Sequence, residues 1–559
     1  MMRCEGICPM AIISINGKDI EVGDQENLNL IQAAQRAGIE IPHYCWHPAL
    51  SVVASCRMCL VEVGEKRPDG TIIMQPRLVP ACQTPARHGT VVLTNSPKAR
   101  AAQAATLEFL LLNHPLDCPV CDQAGECLLQ DYSYKYGRAK SRLRDEKLIR
   151  PDKDYIGDQI VLFTDRCIMC TRCVRFTREI SGTSELQVIY RGDHAEIDIF
   201  PGKPCNNKLA GNVVDICPVG ALCSKDFLYK QRVWFLKHQK SVCPHCSTGC
   251  SIWIDWNKNI VYRIRPRYNP QANGYFMCDD GRFGYHHVNS RDRLAQPLSR
   301  HGSAWVEAGW REMKQIILQH LDSIAQSDRG QSLALVLSPW LTLEEAWLAI
   351  LAVRARCPET RLVQGPLRDT GFDDTYPKGP RGESPPSERA KFIVRGEKAP
   401  NRKGLELLIR HFQKDLLTWE QLPDFIHRAE IRHAYLFACD PLYHLSEQEL
   451  RCLSNLDTLA VWTLFRNGFD AVASWLIPAT SFAEKNGTFV NANGLAQSVR
   501  PAISPYANIW PEARFFWELS GQTGLFHPAS VRYDIARAIA EFTTLACDDL
   551  GEYGVPLGV

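Results

Sequence analysis

Cysteine is the residue that most constrains this chain. Its 559 residues include 23 cysteines, and 19 of these stand at or before Cys278. The first 18 residues contain no long apolar stretch and no small-residue cleavage site, so we expect no signal peptide and a reducing compartment. Clustered cysteines in a reducing compartment are more often metal ligands than disulfide partners. The first half of the chain is therefore predicted to bind metal.

Composition narrows the class of protein further. A typical domain has about 150 residues, so this length predicts three or four domains. The chain is 45% hydrophobic and 23% charged, which is typical of folded globular proteins. Its 64 basic and 62 acidic residues leave a formal net charge of +2. Because nucleic-acid binding depends on an excess of basic side chains, we expect no nucleic-acid partner.

Ligand-type residues recur in four groups of four. The groups are Cys45, Cys56, Cys59 and Cys82; His114, Cys118, Cys121 and Cys127; Cys167, Cys170, Cys173 and Cys217; and Cys243, Cys246, Cys250 and Cys278. The third group has the C-x2-C-x2-C spacing and remote Cys-Pro of bacterial ferredoxins, which hold 4Fe–4S clusters. The first group resembles the spacing of β-grasp ferredoxins, with a longer first gap. Spacing alone leaves a zinc site open for the other groups, and zinc or buried free thiols open for the first.

The third group lacks the partner run of a two-cluster ferredoxin. The places where that run would put cysteines hold Thr177, Asn207, Ala210 and Val213. We therefore expect one 4Fe–4S cluster here and not two. Four basic residues flank the group, namely Arg166, Arg172, Arg175 and Arg178. They either stabilise an anionic cluster or form a solvated face.

The secondary-structure signals of the first half suit a β-grasp domain. Residues 10 to 22 predict two strands joined by an Asn16-Gly17 type I′ turn. Asn27 is expected to cap the helix that follows, and Gly38 to close it. Ser96-Pro97 starts a second helix, which His114-Pro115 stops.

The second half has an α/β pattern. Residues 310–321 predict an amphipathic helix, and the apolar runs LALVLS and HAYLFAC alternate with helical stretches. Residues 333–353 are predicted to form one helix, too charged at Glu344 and Glu345 to lie in a bilayer. Twelve of the forty residues from Gly365 to Gly404 are Gly or Pro, which predicts irregular structure.

Several signatures are missing from the sequence. There is no G-x-G-x-x-G and no P-loop, so we expect no NADH or flavin in a Gly-rich loop. No Ser/His/Asp or paired-carboxylate motif suggests a catalytic residue. Eight cysteines show no ligand spacing and are interpreted as ordinary thiols: Cys4, Cys8, Cys205, Cys223, Cys357, Cys439, Cys452 and Cys547.

Three segments carry a specific resemblance. NHPLDCPVCDQAGEC, RCIMCTRCVRF and VCPHCSTGC, in this order, resemble the large iron–sulfur subunits of respiratory complex I, over most of residues 10 to 295. The resemblance implies a 2Fe–2S cluster on Cys45, Cys56, Cys59 and Cys82. It implies one 4Fe–4S cluster on each of the three other groups. The last of these occurs only in some bacterial members and lies off the main electron path.

The second half resembles the molybdopterin oxidoreductases, notably in WLIPATSFAEKNGTFVNANGLAQ. It departs from them at Leu495, where that superfamily usually has Arg, and at Asp280, where related molybdenum enzymes tend to have a basic residue. We therefore expect a shortened domain that holds no molybdopterin and serves as a scaffold.

The patterns and the resemblance together predict a multidomain α+β and α/β chain. We expect a β-grasp 2Fe–2S ferredoxin domain over 1–95, a helical 4Fe–4S segment with one histidine and three cysteine ligands (the His–Cys segment) over 96–140, a ferredoxin-like domain with one 4Fe–4S cluster over 141–235, a small 4Fe–4S module over 236–297, and a truncated molybdopterin-oxidoreductase-like α/β domain over 298–559.

The function that the resemblance implies is electron transfer. A partner flavoprotein would oxidise NADH with FMN and pass electrons into this chain, and the clusters would relay them toward quinone. Further partners would be a small 2Fe–2S subunit, the quinone-module subunits and, indirectly, an ion-translocating membrane arm. We expect no NADH, FMN or quinone site on this chain, and a peripheral position on the cytoplasmic side of a bacterial inner membrane.

Two alternatives stay open. One is the alpha subunit of an NAD-dependent formate dehydrogenase or a hydrogenase, although those enzymes usually keep the paired cluster that is missing here. The other is a zinc-stabilised structural scaffold.

Overall fold

The computed structural model describes residues 10–23 and 26–558. The chain divides into two compact units, the first comprising Met1–Phe235 with Pro377–Glu383 and the second Leu236–Tyr376 with Ser384–Val559. Cys4 and Cys8 lie outside the described residues. Within those residues, every helix is too short or too polar to cross a lipid bilayer.

The first unit begins with a mixed sheet of six strands. They are Met10–Ile15, Lys18–Gly23, Leu60–Lys66, Ile72–Met74, Val79–Pro80 and Thr90–Leu93. The first two strands form the predicted hairpin, and Asn16 (φ 53°) and Gly17 (φ 81°) both have the positive φ of a type I′ turn. The first strand also pairs in parallel with the last. Successive side chains of a strand point to opposite faces of the sheet, and Ile13 and Ile15 on one face are completely buried. That face of the sheet therefore packs on the core.

The first helix, Leu30–Arg36, is capped by Asn29 and not by Asn27 as predicted. The Asn29 side chain accepts a hydrogen bond from the Gln32 backbone N–H (3.0 Å), and the Gln32 side chain accepts one from Asn29 N–H (3.1 Å). This capping box needs Gln or Glu three residues after the cap, and the residue three after Asn27 is Leu30. Gly38 follows the helix with φ 71°, as predicted for a helix end.

The second helix, Pro97–Leu111, starts where the sequence predicts. The Ser96 hydroxyl accepts a hydrogen bond from Ala99 N–H (3.2 Å), and Pro97 occupies the first turn. The other elements of the first unit are the helices Leu128–Tyr136, Arg172–Phe176 and Asn212–Ile216, the π-helical turn Thr177–Ser181, the 3-10 turns Asp154–Ile156, Thr164–Arg166 and Val233–Phe235, and the strand pairs Ile160–Leu162 with Leu222–Ser224 and Leu186–Ile189 with Glu196–Ile199.

Two larger sheets organise the second unit. An antiparallel sheet contains Lys237–Val242, Ser251–Asn257 and Ile260–Pro266. An eight-stranded sheet has the spatial order Ala304–Glu307, Leu298–His301, Trp475–Pro478, Thr458–Thr463, His433–Ala438, Leu333–Leu337, Arg361–Gln364 and Leu417–Thr418. The last six strands of this order are parallel, which confirms the α/β pattern. A smaller sheet joins Gly487–Val490, Leu495–Val499 and Val555–Pro556.

The prediction of a single helix over 333–353 is wrong. Leu333–Leu337 is a fully buried central strand, and the helix is Leu343–Arg354. A continuous apolar run of five residues suits a strand covered on both faces. Pro339 lies between the strand and the helix. Thr342 and Glu345 then form a capping box at the start of the helix.

The second unit contains further helices beside its sheets. They are Asp279–Phe283, Trp310–Asp328, Arg402–Phe412, Leu422–His427, Glu447–Leu453, Glu512–Leu519 and Pro528–Ala538, with 3-10 turns at His286–Asn289, Ser387–Arg389, Trp419–Gln421, Phe469–Ala471, Tyr506–Asn508 and Ala540–Leu545. Between residues 365 and 401 the chain is mostly irregular, as predicted, with one short strand pair, Asp374–Tyr376 and Phe392–Val394.

Candidate metal centres

The first cysteine group converges beside the mixed sheet. Cys45 follows the first helix, Cys56 and Cys59 precede the strand Leu60–Lys66, and Cys82 follows Val79–Pro80. The four thiols lie close together, since Cys45 interacts with Cys56 and Cys82, and Cys59 interacts with Cys82. The interactions with Cys56 and Cys82 are the largest influences on the Cys45 thiol and lower its pKa. Four sulfurs in one buried loop region are a donor set for a 2Fe–2S cluster.

The second group lies between two helices. His114 and Cys118 follow the helix Pro97–Leu111, and Cys127 immediately precedes Leu128–Tyr136. His114 Nδ1 is buried and has no hydrogen-bond partner among the described residues. Burial lowers the pKa of His114, which favours the neutral imidazole that binds metal. Burial also raises the pKa of Cys127 to about 11, so its thiolate needs a neighbouring positive charge such as iron.

The third group lines one cavity. All four of its cysteines face that cavity together with apolar side chains such as Leu162 and Ile197. Positive φ at Met169 (52°) and Thr171 (58°) curls the chain around it. The backbone N–H of Met169 donates to Cys167 Sγ (3.4 Å), and such bonds tune cluster potentials. Burial raises the pKa of Cys167 to about 12, so here too a thiolate requires metal charge.

The fourth group sits at the turn between the strands Lys237–Val242 and Ser251–Asn257. The Cys243 N–H donates to the Cys250 carbonyl (2.8 Å), and Cys278 precedes the helix Asp279–Phe283. All four cysteines of this group are buried. A Cβ on Gly281 would lie 2.7 Å from Cys243 Sγ, so only glycine leaves that sulfur free.

Glycines beside sulfurs are residues that the sequence reasoning missed. A Cβ on Gly220 would lie 2.2 Å from Cys121 Sγ. Gly220 stands three residues after Cys217, so the segment that carries a ligand of the third group also borders a ligand of the second. The sequence feature that could have indicated Gly220 is the run of small residues after Cys217-Pro218.

The positions of the missing partner run are filled by ordinary side chains. Thr177, Ala210 and Val213 are buried, and Asn207 Nδ2 donates to Glu185 Oε1 (3.0 Å). The neighbouring Cys205 is buried and accepts a hydrogen bond from the same Asn207 amide (3.7 Å). In this part of the ferredoxin-like region, the four positions are therefore occupied by hydrogen-bonded or buried side chains that are not thiols.

The flanking arginines do not form a solvated face. Arg166, Arg172 and Arg175 are buried, and only Arg178 of the four is exposed. Arg166 donates to the Asp117 carboxylate (2.8 Å) and to the Gly220 carbonyl (3.4 Å). The sequence reasoning did not identify Asp117, which is adjacent to Cys118.

The remaining cysteines of the described residues lie outside the four groups, although Cys223 is near two group members: burial, and then the charges of Cys121 and Cys217, raise its pKa. Among the described residues, Cys205, Cys223, Cys357, Cys439 and Cys452 are buried, and Cys547 is half-buried. No group of three or more His, Cys, Asp or Glu side chains in residues 10–23 and 26–558 has the arrangement needed to hold a single metal ion.

Charged side chains fill part of the interior of the second unit near residues 475–497. Lys485 Nζ lies 2.8 Å from Glu345 Oε2 and 3.1 Å from Glu512 Oε1, and all three side chains are buried. Lys485 also lines, with Trp340, a cavity too small to hold even one water molecule. Small-molecule sites usually measure about 300–1,000 Å³, so this cavity is small for an organic cofactor.

These modules define a multidomain iron–sulfur protein, and comparisons with known families agree. Residues 10–97 match the 2Fe-2S iron-sulfur cluster binding domain, 103–142 the NADH-ubiquinone oxidoreductase-G iron-sulfur binding region, 157–223 the ferredoxin-like domain of NADH-quinone oxidoreductase subunit 3, and 236–290 the molybdopterin oxidoreductase Fe4S4 domain. Each match encloses one of the four ligand groups. The predicted multidomain layout with 2Fe–2S and 4Fe–4S domains is confirmed at this level.

The curated relatives resemble this chain across several of these domains together. The chain is 39% identical over 315 residues to the G subunit of NADH-quinone oxidoreductase of Rickettsia conorii, which is 56% of this chain and 45% of that protein. It is 38% identical over 320 residues to the NADH-ubiquinone oxidoreductase 75 kDa subunit of Reclinomonas americana, covering 57% and 44%. It is 36% identical over 342 residues to the G subunit of the Streptomyces coelicolor enzyme, covering 60% and 39%. The predicted resemblance to the large iron–sulfur subunit of complex I is confirmed over this part, and the chain spans less than half the length of these relatives.

Solved structures also match, and one of them is a hydrogenase. An NAD+-reducing NiFe-hydrogenase in the H2-reduced state is 26% identical, covers 40% of this chain and 91% of its own, and has a TM-score of 0.34. At that TM-score the likeness carries no argument for the hydrogenase alternative.

Proposed function

We propose that this chain is an electron-transfer subunit of NADH-quinone oxidoreductase. The observation that supports the proposal is that, in each of the four matched modules, the cysteines of one group lie close enough to influence one another's charge or line one cavity. The proposed ligands are Cys45, Cys56, Cys59 and Cys82 for a 2Fe–2S cluster, and the groups beginning at His114, Cys167 and Cys243 for three 4Fe–4S clusters. When bound, such clusters accept and donate single electrons.

The protein's own part is placement and tuning of potential. Buried thiols supply anionic ligands, and burial keeps His114 neutral so that a ring nitrogen can bind iron. Backbone N–H donors such as that of Met169 lower the charge on a sulfur, which favours the reduced state. Different surroundings therefore give each site its own reduction potential.

The second half is proposed to be a shortened molybdopterin-oxidoreductase-like domain without its cofactor. Glu345, Lys485 and Glu512 occupy its interior, and the cavity beside Lys485 has no room for a water molecule. Leu495 is buried within a strand and offers no charge to a pterin phosphate. Such a domain would serve to support the cluster-bearing modules.

The finer organisation is proposed as well. We place a β-grasp domain at 1–95, the His–Cys segment at 96–140, the ferredoxin-like domain at 141–235, the small 4Fe–4S module at 236–297 and the shortened domain at 298–559. The partners would be an FMN-binding flavoprotein that oxidises NADH, a small 2Fe–2S subunit and quinone-module subunits. The complex would hold this chain at the cytoplasmic side of a bacterial inner membrane.

Metal analysis of the anaerobically purified chain tests the proposal. One 2Fe–2S and three 4Fe–4S clusters require about 14 iron atoms and as many sulfides per chain. Zinc and molybdenum should be close to zero. About four zinc atoms would instead indicate a structural scaffold, and stoichiometric molybdenum would make the second half a catalytic domain.

A further inference from the structure

Two buried arginines link two of the candidate sites within the first unit. Arg172 and Arg175 lie three residues apart on the helix Arg172–Phe176, and therefore on the same face of it. Arg175 is only 1% exposed and Arg172 is 7% exposed. Both guanidinium groups are thus removed from water.

Arg175 contacts the ligand backbone of both sites. Its Nη2 donates to the carbonyl of Cys45 (2.5 Å) and to the carbonyl of Cys170 (3.2 Å). Its Nη1 donates to the carbonyl of Ser51 (2.5 Å), in the same loop as Cys45. One guanidinium therefore joins a proposed 2Fe–2S ligand to a proposed 4Fe–4S ligand.

Arg172 repeats this link with neighbouring residues. Its Nη2 donates to the carbonyl of Trp46 (2.6 Å), which follows Cys45, and its Nη1 donates to the carbonyl of Ile216 (3.1 Å), which precedes Cys217. The two arginines together hold residues 45–51 against two separate ligand segments of the third group.

Neither positive charge is neutralised by a neighbouring acid. Every hydrogen bond of the two guanidinium groups goes to a backbone carbonyl, and no acidic side chain in the described part of the chain pairs with either. A buried charge without a counter-charge is costly. The thiolates of the two candidate sites are the anionic groups on either side that would compensate it.

We propose that Arg172 and Arg175 are positioning residues that fix the two ligand segments together and place a shared positive charge between the two clusters, raising the reduction potentials of both. The inference rests on the proposed function, because it requires a cluster at each site. A positive charge favours the more negative, reduced form of a nearby cluster. Removing it should therefore make both clusters harder to reduce.

Redox titration of the purified full-length chain, followed by electron paramagnetic resonance of each cluster, tests this with Arg175→Met. We expect the ratio of reduced to oxidised cluster at a fixed solution potential to fall about tenfold at both sites, which is about 59 mV for a one-electron couple. Arg178→Met is the matched control, because it removes the same charge from an exposed position three residues further along. The control should leave both potentials unchanged.

Unchanged potentials in Arg175→Met, or a shift at only one of the two sites, would overturn the shared role. If Arg175→Met binds no iron, Arg175→Lys decides: it keeps the charge, so recovery of both clusters with wild-type potentials supports the inference. Failure to recover them, or recovery with lowered potentials, contradicts it. A wild-type chain without iron would overturn the proposed function itself, whereas a loaded wild type with insensitive variants overturns this inference alone.

Discussion

Arg166 and Asp117 form an ion pair between the residues that immediately precede Cys167 and Cys118. The Arg166 guanidinium donates from Nε (2.8 Å) and from Nη2 (2.5 Å) to the same Asp117 carboxylate oxygen. Arg166 is buried, and its ring-face contact with Phe163 fixes its plane. The second and third candidate sites are therefore joined by a charge pair one residue away from a ligand of each.

Asp117→Asn should destabilise the first unit. The substitution leaves the buried Arg166 charge without its partner, which costs about 3–5 kcal/mol for a fully buried pair. Because the Asp117 side chain is 29% exposed, we expect a loss of about 2 kcal/mol. Denaturant unfolding followed by loss of visible cluster absorbance measures it. Asp193→Asn removes a largely exposed carboxylate and should change nothing; equal stability of the two variants would refute the importance of the pair.

Gly220→Ala should selectively remove the cluster of the second group. The new Cβ would lie 2.2 Å from Cys121 Sγ and 3.1 Å from Gln123 Cβ, so the ligand sulfur must move. Iron analysis should show about four fewer iron atoms per chain, with the signals of the other clusters retained. Gly309→Ala is the control, because nothing lies within 4 Å of a Cβ there. Full iron content in Gly220→Ala would contradict the packing argument.

The buried Glu345–Lys485–Glu512 group should make stability fall as pH rises. Burial is the largest influence on Glu345 and raises its pKa from 4.5 to about 7, although the Lys485 charge opposes the shift. The folded state thus keeps a proton that the unfolded chain releases near pH 4.5. Unfolding is therefore linked to proton release, and stability declines between about pH 4.5 and 7.

The melting temperature of the chain across this pH range measures the effect. Glu345→Gln removes the titrating group, so its melting temperature should vary less with pH than that of the wild type. The exposed Glu388→Gln variant should follow the wild type. Parallel curves for Glu345→Gln and wild type would exclude Glu345 as the source.

Asp255 should show the opposite pH dependence. Burial acts to raise its pKa, but the hydrogen bond from His238 and the charges of Arg265 and Arg263 outweigh burial and hold it below 3.8. A lowered carboxyl pKa stabilises the fold above the unfolded value, and that contribution is lost as the pH falls. Asp255→Asn should therefore cost about 3 kcal/mol near neutrality and progressively less below about pH 4. Chemical unfolding at several pH values checks this, with exposed Asp415→Asn as the control; a penalty that persists in acid would argue against it.

The sequence predicted local features well where one residue determines them. The Asn16-Gly17 turn and the Ser96-Pro97 helix start follow from backbone preferences that neighbours do not alter. The predicted helix cap, Asn27, lies two residues before the observed one, Asn29. Asn29 is the cap because Gln32 stands three residues after it and completes a capping box. The strand within residues 333–353 was missed, because an apolar run does not distinguish a buried strand from a helix.

Spacing grouped the ligands, but it could not identify the residues around them. Four of the carbonyl partners of Arg172 and Arg175 lie 44 to 130 residues away along the chain, and the fifth, that of Cys170, lies five residues away; backbone carbonyls carry no sequence signal. The same holds for Gly220, whose importance depends on a sulfur 99 positions earlier in the chain. Long-range tertiary contacts of this kind require the fold.

Arg166, Arg172 and Arg175 all belong to one stretch of ten residues. Arg172 and Arg175 both reach the loop at residues 45–51, whereas Arg166 reaches Asp117 in the His–Cys segment. The three modules of the first unit are therefore not independent building blocks. Exchanging the first module for that of another ferredoxin would leave two buried guanidinium groups without their carbonyl partners. Exchanging the His–Cys segment would leave the Arg166 guanidinium without its carboxylate partner. These three modules are expected to be inherited and engineered as a set, because the arginines of residues 166–175 must match the other two modules.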